Sequence, residues 1–120
     1  MTGGAVLQWT RVNQLDVWGT RRLVRIGARS VRLTRGEMAV LTVLLRASGE
    51  PVTRVELSKE AAARPLPAWK RSRLVDQLVH TLRRKLGDDA RRPRLIVTVI
   101  GVGYALDLPD EGEGQERRAG

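Results

Sequence analysis

Cysteine is absent from the sequence. A disulfide framework, a zinc site with cysteine ligands and a cysteine nucleophile are therefore excluded. Phenylalanine is absent too, and aromatic residues make up only 3% of the chain. Because aromatic side chains are so few, we expect Trp9 and Trp18 to pack in the core rather than to stack on a ligand.

Long apolar runs are also missing. The N-terminus lacks the basic start and apolar stretch of a signal peptide, and no run approaches the roughly 20 residues of a membrane span. Together with the absence of cysteine, which suits a reducing compartment, these features predict a soluble, cytoplasmic protein with no membrane partner.

Positive charge is abundant by contrast. The formal net charge is +9 and the pI is about 11.4, which predicts attraction to a polyanion such as DNA, RNA or an acidic membrane. An arginine-rich composition inherited from a GC-rich genome is the plain alternative. However, residues 64–94 hold ten basic and three acidic residues, a net +7. Such clustering favours a functional basic patch.

Residues 70–86 show the clearest periodicity. The apolar residues Val75, Leu78, Val79, Leu82 and Leu86 recur with the spacing of one helix face. The opposite side carries polar residues, namely Arg73, Gln77, His80, Thr81 and Arg84. We interpret this segment as the recognition helix of a DNA-binding protein; an ordinary amphipathic surface helix is the alternative.

The N-terminal third predicts short strands at 6–9, 15–18, 23–26 and 30–33, each bounded by turn-forming or charged residues. Residues 27–28 form a turn that gives a hairpin. We expect a small antiparallel sheet with one solvent-facing side, in which residues 1–14 are an N-terminal segment that supplies the first strand.

Two helices are predicted next by their capping signals. Thr34 and Glu37 have the spacing of a capping box, and the apolar helix that follows ends at the Gly and Pro of residues 48–51. Thr53 and Glu56 repeat the signal for a helix over 53–62, in which Val55 and Leu57 are expected to face inward.

The C-terminal part completes the pattern. Two prolines predict a loop over 63–69. A β-branched strand over 95–100 and a Gly-containing turn predict a terminal hairpin. Residues 107–120 are polar and predict a disordered tail. The fold class is therefore α+β, a winged helix-turn-helix over residues 15–106 with an N-terminal antiparallel sheet, three helices and a C-terminal β-hairpin wing.

Four motifs resemble the C-terminal DNA-binding domain of OmpR/PhoB-type response regulators. They are Leu33-Thr34-x-x-Glu37, Thr53-Arg54-x-x-Leu57, Arg73-x-Val75-Asp76 with Leu82-Arg83-Arg84-Lys85-Leu86, and Pro93-Arg94-Leu95-Ile96-x-Thr98-Val99 with Gly101-Val102-Gly103-Tyr104. The resemblance covers about residues 15–106. It implies that helix 70–86 enters the major groove of DNA, that wing 95–106 lies near the minor groove, and that loop 61–69 contacts RNA polymerase. It also implies binding to tandem direct repeats as a head-to-tail dimer.

The sequence departs from the family pattern in three places. These 120 residues contain no receiver domain, as expected for either an excised domain or a stand-alone bacterial regulator without phosphorylation control. Ile100 stands where the family often has Arg in the wing. His80 and Thr81 stand where its members often have basic residues, so the preferred DNA sequence is left open.

The candidate DNA-binding residues follow from these patterns. Phosphate contacts are expected from Arg71, Arg73, Arg83, Arg84, Lys85 and Arg94, although Arg83 could instead pair with Asp76. Base contacts are expected from Arg73, Gln77, His80 and Thr81. The full set is Lys70, Arg71, Arg73, Gln77, His80, Thr81, Arg83, Arg84, Lys85, Arg94, Thr98 and Gly101.

Catalytic, cofactor and metal sites are not indicated. His80 is the single histidine and has no cluster of ligands around it. Asp88 and Asp89 fall in a loop without a partner base. The sequence therefore predicts a non-enzymatic, sequence-specific regulator of transcription that binds double-stranded DNA. The alternative is a protein-interaction module, for example one that binds RNA polymerase, with only weak nonspecific affinity for DNA.

Overall fold

The computed structural model describes residues 9–12, 15–88 and 95–107. The strands are β1 (Thr10–Val12), β2 (Leu15–Trp18), β3 (Leu23–Ile26), β4 (Arg29–Arg32), β5 (Val52–Thr53), β6 (Ile96–Val99) and β7 (Gly103–Leu106). The helices are α1 (Arg35–Arg46), α2 (Arg54–Ala61) and α3 (Ala68–Leu86), with a 3-10 helix at Gly19–Arg21. These elements form the predicted α+β fold.

The N-terminal sheet is antiparallel, with strand order β1-β2-β3-β4. Leu15, Val17 and Val24 are buried on its inner side, because alternate residues of a strand face opposite ways. Strands β2 and β3 match the predicted bounds, whereas β4 begins one residue earlier than predicted. The strand predicted at 6–9 is wrong at Trp9, which precedes β1; its other residues lie outside the described ranges.

The two N-terminal tryptophans pack on each other rather than in the core. Their ring centroids are 5.1 Å apart with the planes at 64°, and both rings are half-exposed. Arg25 lies over the Trp9 ring and Arg21 over the Trp18 ring. Since Val17 faces inward, its neighbour Trp18 must face outward, and the sequence prediction of a core role was wrong.

Helix α1 begins at the predicted capping box. The backbone N–H of Glu37 donates to Thr34 Oγ1 (3.2 Å), and the N–H of Thr34 donates to Glu37 Oε1 (2.8 Å). Two of the N–H groups that lack an intrahelical acceptor at the start of the helix are satisfied in this way. The helix then buries Met38, Val40, Leu41 and Leu44 against the remaining elements.

Helix α2 begins after Thr53, whose Oγ1 accepts a hydrogen bond from the N–H of Glu56 at 3.1 Å. Leu57 and Ala61 are buried one turn apart, as a single inward stripe requires. Val55 is 44% exposed, so the prediction that it faces inward was wrong. Residues two positions apart in a helix are rotated by about 200° about its axis, which places Val55 on the side opposite Leu57.

Helix α3 begins at Ala68, two residues before the predicted start. Pro67 directly precedes the helix, and its carbonyl oxygen accepts hydrogen bonds from the N–H groups of Lys70 and Arg71, both at 3.0 Å. Trp69 is therefore part of the helix rather than of the loop, and its side chain is 59% exposed. Val75, Val79, Leu82 and Leu86 are buried, which confirms four residues of the predicted core face. The fifth, Leu78, packs against the core but is only half-buried.

The C-terminal hairpin of β6 and β7 is joined by a strand that the sequence did not reveal. Strand β5 pairs with β7, giving a three-stranded sheet of order β5-β7-β6. A Cβ at Gly103 would run into the carbonyl oxygen of Val52, so this pairing requires glycine. Tyr104 is buried beside it, which confirms its predicted packing role.

Candidate nucleic-acid interface

One side of α3 faces away from the core. Arg73, Gln77, His80 and Arg84 are all exposed there, and their spacing of three to four residues aligns them along that side. Lys70 is exposed one turn earlier, with its Nζ 5.3 Å from the centroid of the Trp69 ring. The structure thus brings together five of the predicted residues as one cationic and hydrogen-bonding surface.

Thr81 lies at the border of that surface and is only partly exposed. Its hydroxyl donates to Glu37 Oε2, at an Oγ1–Oε2 distance of 2.6 Å, and the residue is half-buried between α3 and α1. The helical periodicity of the sequence predicts Thr81 on the exposed side of α3. The structure corrects this, because Thr81 lies at the border of that side and the Glu37 carboxylate draws its hydroxyl inward.

Lys85 meets the same carboxylate. Its Nζ lies 2.7 Å from Glu37 Oε1 and 3.2 Å from the carbonyl oxygen of Arg32. The predicted phosphate ligand is therefore already held in an ion pair and a bond to β4. Lys85 joins α3 to the N-terminal sheet rather than projecting freely into solvent.

Glu37 is the hub of these contacts and is only 3% exposed. Burial alone raises the pKa of this carboxyl group. The hydrogen bonds from Lys85, Thr81 and the Thr34 backbone outweigh that effect, so the pKa lies below its ordinary value. Sequence reasoning identified Glu37 as a capping residue but missed this second role, since its partners lie more than 40 positions away.

Arg83 is buried under the wing. Its Nη2 donates to the Ile96 carbonyl oxygen (2.7 Å) and to Thr98 Oγ1 (3.1 Å). Its guanidinium carbon lies 5.7 Å from the centroid of the Tyr104 ring. The two predicted DNA contacts Arg83 and Thr98 are thus bonded to each other and fix the angle between α3 and β6.

Asp76 pairs with other groups than Arg83. Its Oδ1 accepts hydrogen bonds from Arg54 Nε (2.8 Å) and from the Tyr104 hydroxyl (2.7 Å). Burial, and then the bond to Asp76, raise the pKa of Tyr104, and the bond to Asp76 raises the pKa of Arg54. The alternative pairing of Arg83 with Asp76 was therefore wrong, and this cluster ties α2, α3 and β7 together.

The remaining predicted residues have diverse settings. Arg71 is half-buried and its Nη1 donates to the Leu66 carbonyl oxygen at 2.7 Å, which braces the α2–α3 connection. Gly101 is exposed in the wing turn with φ +81°, next to Ile100, which is 90% exposed. Residues 95–106 contain no charged side chain. Arg94 lies outside the described residues.

Asp88 has a structural role. Its carboxylate accepts hydrogen bonds from the backbone N–H groups of Leu95 (3.2 Å) and Ile96 (2.9 Å). These bonds connect the end of α3 to the start of β6, a structural role that the sequence pattern did not reveal.

Among residues 9–12, 15–88 and 95–107, no three His, Cys, Asp or Glu side chains are grouped as a metal site would require. None of the helices in these ranges has the length and apolar character needed to cross a membrane.

A helix-turn-helix whose second helix presents a cationic side, followed by a β-hairpin packed against it, defines a winged helix-turn-helix. Residues 28–106 match the family model described as "Transcriptional regulatory protein, C terminal". The chain belongs to this family.

Curated relatives agree with this assignment. The chain is 41% identical over 85 residues to the transcriptional regulatory protein AruR of Pseudomonas aeruginosa, covering 70% of this chain and 34% of AruR. It is 39% identical over 77 residues to the CpxR homolog of Haemophilus influenzae, covering 64% of this chain and 33% of that protein. The chain thus spans about a third of the length of these relatives.

Solved structures share the fold. The DNA-binding domain of RstA from Klebsiella pneumoniae, determined in complex with the RstA box, superposes with a TM-score of 0.71 at 28% identity, over 82% of this chain and 96% of that one. The DNA-binding domain of CpxR from E. coli gives a TM-score of 0.67 at 26% identity, over 82% of this chain and 94% of that one.

Proposed function

We propose that the chain binds double-stranded DNA in a sequence-dependent manner as part of a transcription regulator. Helix α3 enters the major groove and the wing formed by residues 95–106 lies near the minor groove. The observation that carries this proposal is the exposed side of α3, where Arg73, Gln77, His80 and Arg84 lie in one row. The RstA domain, which has the same fold, was solved with its DNA box.

The chemistry of this row divides into two parts. Arg73 and Arg84 carry the charge that attracts phosphates, and Arg73 can also grip guanine with two hydrogen bonds. Gln77 can pair with adenine in the same bidentate way. His80 adds a further hydrogen-bonding group between Gln77 and Arg84. Arg94 remains a phosphate-binding candidate from the sequence alone.

Several finer points form part of the same proposal. The domain spans residues 15–106 and acts in the bacterial cytoplasm, through binding rather than through a catalytic step. Two copies bind tandem direct repeats head to tail.

The connection between α2 and α3, within the region 61–69, contacts RNA polymerase. An apolar groove lined by Val55, Ala62, Pro65 and Leu66 beside this connection supports a protein contact there.

The alternative of a protein-interaction module with weak nonspecific DNA affinity is not favoured, because the family is one of transcriptional regulators. The decisive experiment is a selection of binding sites from random duplex DNA at physiological salt. We expect enrichment of a short motif whose binding survives excess random DNA. Binding without enrichment, with a steep dependence on salt, would refute sequence-dependent recognition.

A variant pair sharpens the experiment. Arg73→Ala removes a cation from the exposed side of α3, whereas Arg46→Ala removes one from the last turn of α1, beside Lys59 and Glu60. We expect the first variant to bind the selected site more weakly and the second to bind like the parent. Equal affinities for both variants would contradict the assignment of the interface to α3.

A further inference from the structure

An open groove of about 600 Å³ runs beside the exposed side of α3. Helix α3 lines it with Leu74, Asp76, Gln77, Leu78, His80 and Thr81, and the start of α1 lines it with Glu37 and the capping residue Thr34. Gln77 and His80 belong to the row already assigned to DNA. The groove is therefore part of the surface that faces the bases.

The groove contains an apolar strip. Leu74 and Leu78 are half-buried and four residues apart, so they lie one above the other on the same side of α3. Leu78 is held in place because it packs over Gly36, where an added Cβ would lie 3.1 Å from Leu78 Cδ2. The strip is thus a fixed apolar surface within a polar and cationic interface.

The groove does not repel a polyanion. Its two carboxylates are each held in an ion pair, Glu37 with Lys85 (2.7 Å) and Asp76 with Arg54 (2.8 Å). The neighbouring exposed side of α3 adds Arg73 and Arg84. With both carboxylates paired and two arginines exposed nearby, the groove suits DNA as a binding partner better than an acidic or a neutral apolar peptide.

We propose that Leu74 and Leu78 contact the C5-methyl groups of thymines in the major groove, and that they select DNA sites by the positions of those methyl groups. Leucine has no hydrogen-bonding group, and the thymine methyl is the apolar group that base pairs present in the major groove. Four helical residues span about 6 Å, which corresponds to about two nucleotide steps of 3.4 Å along one strand. The inference rests on the proposed function and adds its base preference.

The test replaces the thymines of the selected site by uracil, one at a time. Uracil keeps the hydrogen-bonding edge of thymine and lacks only the methyl group. We expect about fourfold weaker binding at each contacted position, the effect of exposing one methylene-sized group, and no change elsewhere. Equal affinity for every uracil-substituted duplex would overturn the inference while leaving sequence-dependent binding intact. Failure to select any site would instead overturn the proposed function.

Variants assign the effect to the two leucines. In Leu74→Ala the uracil effect should disappear at one position, and in Leu78→Ala at another. Leu45→Ala removes a half-buried leucine from α1, outside the groove, and should leave the uracil effect unchanged. Persistence of the full effect in both leucine variants would overturn the inference. The uracil series on the parent protein needs no variant, so it remains decisive if Leu78→Ala fails to fold.

Discussion

The hydroxyl of Thr81 lies 2.6 Å from Oε2 of Glu37, although the two residues are 44 positions apart. The same carboxylate binds Lys85, which lies one turn further along α3. Two contacts at successive turns fix the rotation of α3 about its own axis. Arg73, Gln77, His80 and Arg84 are thereby held on the outward side, so a buried carboxylate controls which residues α3 exposes.

Glu37→Gln should reduce the free energy of unfolding by about 1–3 kcal/mol at pH 7, since it removes charge-assisted hydrogen bonds to Lys85 and Thr81. The pKa of Glu37 is lowered from 4.5 on folding, so this stabilisation is fully present above pH 4.5 and is lost as the pH falls through the folded-state pKa. Urea unfolding at several pH values measures the difference. Glu60→Gln, at an exposed position of α2, is the control. A constant difference between parent and Glu37→Gln down to pH 3 would count against the ion pair.

Arg84→Ala and Lys85→Ala should behave differently although the residues are adjacent. Arg84 is exposed, so its loss should weaken DNA binding and leave the melting temperature unchanged. The slope of the logarithm of the binding constant against the logarithm of salt concentration should become shallower by about one, the value for one lost phosphate contact. Lys85 binds Glu37 and the Arg32 carbonyl oxygen, so its loss should lower the melting temperature. Salt titrations and thermal melts separate the two effects, and identical behaviour of the variants would contradict the geometry.

Arg83→Lys should destabilise the domain by about 1–3 kcal/mol while keeping the net charge. An ammonium group cannot reproduce the fork that bonds the Ile96 carbonyl oxygen and Thr98 Oγ1. Arg84→Lys, the matched change at an exposed position, should have little effect on stability. Chemical denaturation provides the measurement. The prediction fails if Arg83→Lys is as stable as the parent, since Arg83 would then be an ordinary surface charge.

Gly103→Ala should cost about 3 kcal/mol, the upper part of the usual range for overpacking, because the added methyl group meets backbone atoms of Val52 and Thr53. Backbone atoms of a paired strand have little room to move aside. Gly19→Ala is the control, since an added Cβ there has no atom within 4 Å. Thermal melts of the two variants suffice, and equal melting temperatures would show that the β5–β7 pairing can relax.

Most elements of the fold could be predicted from short-range sequence patterns. The three-residue spacing of Thr34 and Glu37 was enough to place the start of α1, and the buried stripe of Val75, Val79 and Leu82 followed from helical periodicity. Strand β5 could not be found in this way. It has only two residues, and its pairing with Tyr104 and Gly103 depends on a strand 50 positions later.

The interface was predicted less completely. Periodicity defines the centre of a helix side, where Gln77 and Arg84 are indeed exposed, but it does not decide the borders. Thr81 and Lys85 lie at one border and turn toward Glu37, while Arg83 lies at the other and turns toward β6. Which way a border residue turns depends on the neighbouring element, and a single sequence does not specify that neighbour.

The pairing of β7 with β5 also has a consequence for folding during synthesis. A two-stranded hairpin is marginally stable alone, and β7 needs Val52 and Thr53 as well as β6 to complete its sheet. Residue 106 must therefore be synthesised before the three-stranded sheet can form, and until then β5 has no strand to pair with. We expect the nascent chain to acquire its native structure late and in one step, when β7 pairs with both β5 and β6.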